Sequence, residues 1–395
     1  MPDTPLTCID LWIKAGSSYE RPGEEGIAHF LEHMIFKGGK NLKEGEFDRK
    51  IEALGGSSNA ATGFDDVHFY VLVPSEKIKP ALNLLIELVL YPAIEPNAFR
   101  MERKVVLEEI AQHNDQPDEQ IFQKLLEICW INHPYGRPIL GFQKSLNELS
   151  NVDMKSFHER LYKSTNCVIS IAGNVPDEIK SLFNKSNLSK QEKNSSIDPK
   201  QKKKTPLVFK KVTKEINVDR LGISRLIMAW PSPPAQDQSL IMGFDIATSL
   251  LAEGRRSRLV EHLRENLKIV ESIDMDITSL EEGGIITLEA SCQKKEIEKV
   301  KKEIFLILNE YINNPAQSEE IKRAHQLVKN SLCFSLETSR NVSSCIGSQF
   351  LWGRHQPLLA PLELINYWSA ENLKNEIFYN LHPDKASILI ANPKK

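Results

Sequence analysis

A polar segment near the middle of the chain separates two halves that each alternate strand-like and helix-like stretches. Residues 184–205 are rich in Lys, Ser and Asn, contain almost no large apolar side chain and include the run Lys202, Lys203, Lys204. Such a composition is typical of a solvated linker, and a run this short without interleaved aromatic residues does not favour a polyanion site. The sequence therefore predicts two domains, 1–183 and 206–395, joined by a linker at 184–205.

The two halves have similar patterns and similar ends. A period-two apolar pattern at Ile9, Leu11 and Ile13 predicts a first strand, and apolar residues at helical spacing predict a helix at 25–37 that stops at Gly38. The segments 167–174 and 386–392 are alike and occupy matching places, which predicts two copies of one α/β unit. Further helices are predicted at 46–54, 81–90, 97–114, 118–131, 152–161, 239–251, 257–265, 295–312, 318–336 and 341–351, and further strands at 66–73, 167–172, 225–230, 269–277, 284–291 and 386–391.

The charge balance excludes some classes of partner. Fifty basic residues against 53 acidic ones give the 395-residue chain a net charge of -3, so no global field attracts nucleic acid or an anionic bilayer. No window approaches ~18 consecutive apolar residues, and the first residues carry no basic and apolar leader pattern. Six scattered cysteines without a C-x-x-C pair favour free thiols in a reducing compartment. We therefore expect a cytoplasmic protein that binds neither nucleic acid nor membrane.

One five-residue motif, H-x-x-E-H, carries the chemistry of the first half. It consists of His29, Glu32 and His33 with two apolar residues between them, the inverse of the H-E-x-x-H zinc motif. Residues four apart on a helix are neighbours, so both imidazoles reach one ion while Glu32 lies on the same face. Catalytic zinc takes three protein ligands and a water, and a carboxylate that is not a ligand can accept the water proton. The motif predicts two zinc ligands, His29 and His33, and a general base, Glu32.

The alternative is that both histidines are incidental polar residues of an amphipathic helix. Their neighbours Ile27, Phe30 and Leu31 are apolar, however, so the helix would bury three polar groups at roughly a few kcal/mol unless something pairs them. A bound ion pairs them, which favours the metal site.

The third ligand should come from another element, and the predicted helix at 97–114 offers three candidates. Glu102 and Glu109 are seven residues apart, close to two turns, and therefore share a face. His113 follows Glu109 at i+4 and is equally able to bind metal, whereas Glu108 points elsewhere as a solvated charge. Spacing alone does not separate Glu102, Glu109 and His113.

Four blocks of sequence, in order, resemble one known family. They are 26–38 around the motif, 55–62, 102–110 and 133–141. Together they resemble the inverzincin zinc metallopeptidases that include pitrilysin, insulin-degrading enzyme and the mitochondrial processing peptidase, in a small two-unit form. The resemblance implies an α+β fold of two homologous α/β sandwich units, each with an antiparallel-type mixed sheet covered by helices.

The resemblance also implies roles for individual residues. The family's distal glutamate ligand corresponds to Glu109, with one zinc ion per chain, and the glutamate seven positions earlier, Glu102, supports catalysis without binding metal. Substrate is expected to add as an extended strand beside the metal, which makes Asn59 and Ala60 candidate contacts. Relatives often complete the site with an Arg and a Tyr from the second unit; Arg264 matches the Arg.

The expected Tyr is replaced by Glu271, and no Tyr occurs between Tyr162 and Tyr311. Some small relatives pair a zinc-bearing chain with a homologous chain that lacks the zinc motif and supplies both residues. The resemblance thus implies a dimer, and Glu271 favours a heterodimer over a homodimer. The expected activity is zinc metalloendopeptidase cleavage of unfolded peptides or presequences by Glu-assisted attack of zinc-bound water; the alternative is a non-catalytic or scaffold subunit, whose zinc motif would be eroded.

Overall fold

The described chain forms two compact units, each built on one β-sheet. The structure is a computed structural model that describes residues 1, 4–176, 179 and 205–394. Among the described residues, the first unit is drawn from Met1–Gln112, Arg137–Lys204 and Ser335–His355, and the second from His113–Gly136, Thr205–Phe334 and Gln356–Lys395. Each unit therefore includes a segment from the other half of the sequence, whereas the predicted domains were contiguous. The predicted linker lies outside the described residues, apart from residue 205.

The first unit contains a four-stranded antiparallel sheet. Apolar side chains alternate along its strands, so that Ile9, Leu11 and Ile13 point into one fully buried core. Leu11 lies opposite Phe69 on one neighbouring strand and Ile169 on the other. The strands are β1 Leu6–Ile13, β2 Ser57–Thr62, β3 Val67–Pro74 and β4 Cys167–Ala172, in the order β2-β3-β1-β4.

Helices of the N-terminal half cover the apolar face of this sheet, with one exception. Their apolar faces, for example Leu82, Leu85 and Val89, join the strand residues in one core. The exception is α5, which belongs to the second unit. The helices are α1 Ile27–Ile35, α2 Glu46–Ala53, α3 Ile78–Leu90, α4 Pro96–Asn114, α5 Pro117–Cys129, α6 Gln143–Glu148 and α7 Asn151–Leu161.

The second unit contains a five-stranded sheet in which β5 runs parallel to β9 and the other pairs are antiparallel. Its strands are β5 Thr213–Val218, β6 Ser224–Ser232, β7 Ser272–Leu280, β8 Gly283–Cys292 and β9 Ser387–Pro393, in the order β5-β9-β6-β8-β7. The helices of the C-terminal half are α8 Gln238–Ala252, α9 Ile297–Asn313, α10 Ser318–Phe334, α11 Ser339–Leu351 and α12 Pro361–Ile365, and α11 belongs to the first unit. This half also contains a helical turn, Ala370–Asn372, and two π-helical segments, Val260–Asn266 and Leu373–Phe378.

Helix α11 is the segment that the first unit takes from the C-terminal half. It packs against β1 and β4, where the Ser170 hydroxyl donates to the Ser343 carbonyl at 2.6 Å. A Cβ atom at Gly347 would lie 2.3 Å from the Trp12 ring, so only glycine permits this approach. In the other direction, α5 contacts β5 and β9 of the second unit. Composition indicates the polar linker but not this exchange of helices, so the domains were predicted to be contiguous.

The two sheets share one connectivity, which confirms the predicted α+β class of two related units. The order β2-β3-β1-β4 of the first sheet recurs as β7-β8-β6-β9 in the second, and β5 is an addition. Strand β5 was not predicted because lysine and glutamate interrupt its apolar pattern, and the predicted helix 257–265 is largely π-helical. None of the helices in the described part of the chain has the length and apolar character that crossing a membrane requires.

Candidate metal centre

Helix α1 is fixed at its N-terminus by a buried carboxyl group. Glu20, only 7% exposed, accepts the backbone N–H groups of Gly26 and Ala28 at 3.0 Å each. Gly26 adopts a φ of 94°, which favours glycine, and the chain at Leu140 approaches it too closely for a Cβ atom. These contacts satisfy N–H groups that a helix leaves without intrahelical partners, and they hold the start of α1 in place.

The three motif residues are the partly exposed members of α1. Every other residue of Ile27–Ile35 is buried, whereas His29, Glu32 and His33 are not. The two imidazole rings lie one turn apart, with their centroids separated by 4.8 Å. Packing of the apolar residues therefore presents the predicted ligands and base on one side of the helix.

Helix α4 presents its two glutamates to α1 in different ways. Glu102 lies on the buried face, with a side chain 8% exposed, and Glu109, two turns later, has a side chain 42% exposed. Glu108 is exposed, as predicted for a solvated charge. His113, the third candidate from spacing, forms an ion pair with Glu119 at 3.1 Å. The structure thus distinguishes three candidates that spacing left equivalent.

His29, His33 and Glu109 form the one cluster of His, Cys, Asp and Glu side chains with metal-binding geometry among the described residues. One ligand atom from each lies within 4.8 Å of the others. The Glu109 carboxylate oxygens lie 3.6 Å from His29 Nε2 and 3.2 Å from His33 Nε2. Neighbouring ligand atoms in tetrahedral zinc sites are about 3.3 Å apart, because each bond is about 2.0–2.2 Å long. The donor set and its spacing therefore fit zinc.

Glu102 contacts the other nitrogen of His33 and is outside the cluster. Its Oε1 accepts the His33 Nδ1–H at 2.9 Å, which directs Nε2 towards Glu109. Its Oε2 lies 2.7 Å from Lys37 Nζ. Through the first contact Glu102 can orient the His33 ring without belonging to the cluster itself. Lys37 was not predicted, although its position at i+4 from His33 was a signal.

Glu32 lies beside the cluster and is held by the first sheet. Its Oε2 accepts a hydrogen bond from the Thr62 hydroxyl of β2. Burial raises the pKa of the Glu32 carboxyl above its ordinary value, and the Thr62 bond opposes that rise. A base with a raised pKa is better matched to proton transfer near neutral pH than an ordinary glutamate. The role of Thr62 was not predicted, although it lies on the same face of β2 as Ala60.

Strand β2 places Asn59 and Ala60 at an edge of the first sheet. Within the described residues β2 pairs with β3 alone, where Ala60 lies opposite Phe69. The Asn59 side-chain oxygen accepts the N–H of Ala60 at 2.9 Å. Both residues are therefore at a position where a further strand can add.

Arg264, which matches the family's arginine, and Glu271, which replaces its tyrosine, belong to the second unit. Arg264 lies in the π-helical segment Val260–Asn266 and forms an ion pair with Glu265 at 2.9 Å. Glu271 immediately precedes β7, and its N–H donates to the carbonyl of Ser291. π-Helical turns often occur at functional sites, so the backbone at Arg264 is consistent with a functional position.

Comparisons with known proteins agree with these observations. Residues 2–143 match the sequence model described as Insulinase (Peptidase family M16), and residues 148–328 match the Peptidase M16 inactive domain. A Rickettsia bellii protein named uncharacterized zinc protease is 30% identical over 382 residues, covering 92% of this chain and 86% of that protein. A Rickettsia felis protein of the same name is 29% identical over 388 residues, covering 96% and 92%.

A solved structure has the same fold. The crystal structure of a protease from Helicobacter pylori superposes with a TM-score of 0.88 at 23% sequence identity, covering 99% of this chain and 95% of that chain. The similarity extends over both units, and it concerns the fold alone.

Proposed function

Because this chain belongs to the insulinase family, peptidase family M16, we propose that it is a zinc metalloendopeptidase. The observation that carries the proposal is the cluster of His29, His33 and Glu109, with Glu32 beside it on α1. Intact ligands and an intact base argue for an enzyme over a scaffold subunit, since a scaffold does not need them. One zinc ion per chain is the expected cofactor.

Glu32, Thr62 and Glu102 have separate roles in the proposed peptide hydrolysis. Bound zinc would supply a Lewis acid that activates water and polarises the scissile carbonyl. Glu32 takes the proton of the attacking water and returns it to the leaving amine. Thr62 holds one oxygen of Glu32, so the other remains available for the proton. Glu102 orients His33 through its Nδ1–H.

The proposed substrate is an extended peptide, from an unfolded protein or a presequence, that adds to β2. Edge strands bind peptides through backbone hydrogen bonds, which provide affinity without requiring one sequence. Asn59 covers the N–H of Ala60 in the free protein, so its side chain must swing away when a substrate carbonyl takes that N–H. Thr62 connects the same strand to Glu32, which couples the binding edge to the base.

A second chain is proposed to complete the site. Arg264 matches the arginine with which relatives stabilise an oxyanion, but Glu271 stands where the family's tyrosine is expected. We therefore favour a heterodimer with a homologous chain that lacks the zinc motif and provides the arginine together with the missing tyrosine hydroxyl. The alternative is a homodimer that works without it.

The test is to compare wild type with Glu32→Gln, with Glu108→Gln as a matched control on an exposed glutamate. Each protein is assayed for zinc content and for cleavage of a mixed peptide library, alone and with a candidate partner chain. We expect about one zinc per chain in all three and loss of cleavage in Glu32→Gln only. Cleavage that survives in pure, zinc-loaded Glu32→Gln protein would show that the base is wrongly assigned.

A further inference from the structure

Lys37 and His33 contact opposite oxygens of one buried carboxylate. Glu102 Oε2 lies 2.7 Å from Lys37 Nζ, and Glu102 Oε1 lies 2.9 Å from His33 Nδ1. The Glu102 side chain is 8% exposed, and that of Lys37 is 31% exposed. Lys37 also lies 3.8 Å from Glu44, whose side chain is mostly exposed, so its closer contact is with the buried carboxylate.

The geometry constrains the orientation of Glu102. A carboxylate held through one oxygen can rotate about its Cγ–Cδ bond, whereas one held through both oxygens has a fixed plane. The positive charge of Lys37 also offsets the cost of placing a carboxylate away from water. The two contacts come from His33 in α1 and from Lys37, four residues later and just beyond the end of that helix, so both reach Glu102 from the same side.

A fixed Glu102 in turn fixes the imidazole of His33. The partner of a ligand's second ring nitrogen sets which nitrogen carries the proton and which way the ring faces. In this chain that partner is Glu102 on Nδ1, and Nε2 faces Glu109 at 3.2 Å. Loss of Lys37 would leave Glu102 free to turn away from His33 or to draw in water.

We propose that Lys37 is a positioning residue of the metal centre, which acts through Glu102 to hold the His33 imidazole in its ligating orientation. The inference rests on the proposed function, because it requires zinc at this cluster. It assigns Lys37 no contact with substrate and no part in proton transfer.

The experiment measures zinc affinity without substrate, by competition with a zinc-binding fluorescent chelator. Lys37→Met removes the ammonium and keeps a long side chain, Lys37→Arg restores the charge, and Lys40→Met is the control on an exposed neighbour. Loss of an orienting partner typically weakens metal binding about 10- to 100-fold, and we expect the lower end, about tenfold, for Lys37→Met. Lys37→Arg should recover most of the affinity, and Lys40→Met should match wild type.

A double-mutant cycle separates positioning from general electrostatics. In a Glu102→Gln background, Lys37→Met should change zinc affinity less than about twofold, because the carboxylate through which it acts is gone. An equal loss in both backgrounds, or an unchanged affinity of Lys37→Met in the wild-type background, would overturn the inference. If Lys37→Met does not fold, as judged by circular dichroism, Lys37→Gln replaces it against Lys37→Arg.

The outcomes distinguish this inference from the proposed function. If the wild-type chain binds no zinc at this site, both the proposed function and the positioning role of Lys37 are refuted. If the wild-type chain binds zinc and cleaves peptides, and the Lys37→Met variant binds zinc equally well, only the positioning role is refuted.

Discussion

The protein should lose stability as pH rises, because Glu20 is a buried carboxyl group at the N-terminus of helix α1, which carries His29 and His33. Burial raises the pKa of Glu20 from its ordinary value of 4.5 to about 8, although the N–H groups of Ala28 and Gly26 lower it. Between these two pH values the folded chain binds a proton that the unfolded chain has released. The free energy of unfolding therefore falls as pH rises through this interval, and below it the contribution is fully present.

The shift from 4.5 to about 8 sets the size of the effect. At about 1.4 kcal/mol for each pKa unit, it corresponds to at most about 5 kcal/mol of stability lost by slightly alkaline pH. Local opening that lets water reach an ionised Glu20 would reduce the loss. Glu20→Gln stays neutral and keeps an oxygen that can accept the same two N–H groups, so it should lack this dependence.

The assay is urea unfolding at about pH 5 and about pH 9, in EDTA so that proton release on metal binding does not contribute. The proteins are wild type, Glu20→Gln and Glu148→Gln, a control on an exposed glutamate. We expect wild type and the control to lose up to about 5 kcal/mol more than Glu20→Gln between the two conditions. The reasoning is refuted if all three change in parallel, or if wild type becomes more stable on going to the higher pH.

Three further predictions concern Glu32, Glu109 and helix α11, which the first unit takes from the C-terminal half. Thr62→Val removes the hydrogen bond that lowers the pKa of Glu32, so the acidic limb of the pH–activity profile should move to higher pH; an unmoved limb would exclude this role. Glu109→Gln should weaken zinc binding at least about 100-fold in a chelator competition while Glu108→Gln leaves it unchanged, and equal effects would contradict the ligand assignment. Gly347→Ala should lower the free energy of unfolding by about 1–3 kcal/mol, since the new methyl overlaps an indole ring, and a fully stable variant would refute that packing.

The part of the site that was predictable from sequence is the part on a single helix. His29, Glu32 and His33 are within one turn or so of each other, so their spacing fixes their relative positions whatever the rest of the fold. The apolar residues around them also predicted which side would be buried. Local geometry is therefore a sufficient guide to these three residues.

The choice between Glu102 and Glu109 was not accessible to spacing, because both lie on the same face of α4. What separates them is where α4 crosses α1, a tertiary fact that places Glu102 on Nδ1 of His33 and Glu109 on Nε2. Only the family resemblance indicated Glu109 in advance. The contacts of Lys37 and Thr62 depend on the same crossing and on the position of β2.

The fold was predictable to a similar extent. Most helices and strands agree with their apolar periodicity, but β5 was missed because an edge strand with one pairing partner needs few apolar side chains. The exchange of α5 and α11 between units has no sequence signature of its own. Gly347 shows why: a glycine in a helix reveals a close approach only when the ring it touches is known.

The central claim is that His29, His33 and Glu109 hold one zinc ion in this chain. An anomalous-difference map from a crystal of the zinc-loaded protein, measured at the zinc absorption edge, tests it directly. The account predicts one dominant peak per chain, bounded by these three side chains, with Glu102 beside His33 and not in contact with the ion. A dominant peak elsewhere, or no peak at this cluster in crystals that contain zinc, would contradict it.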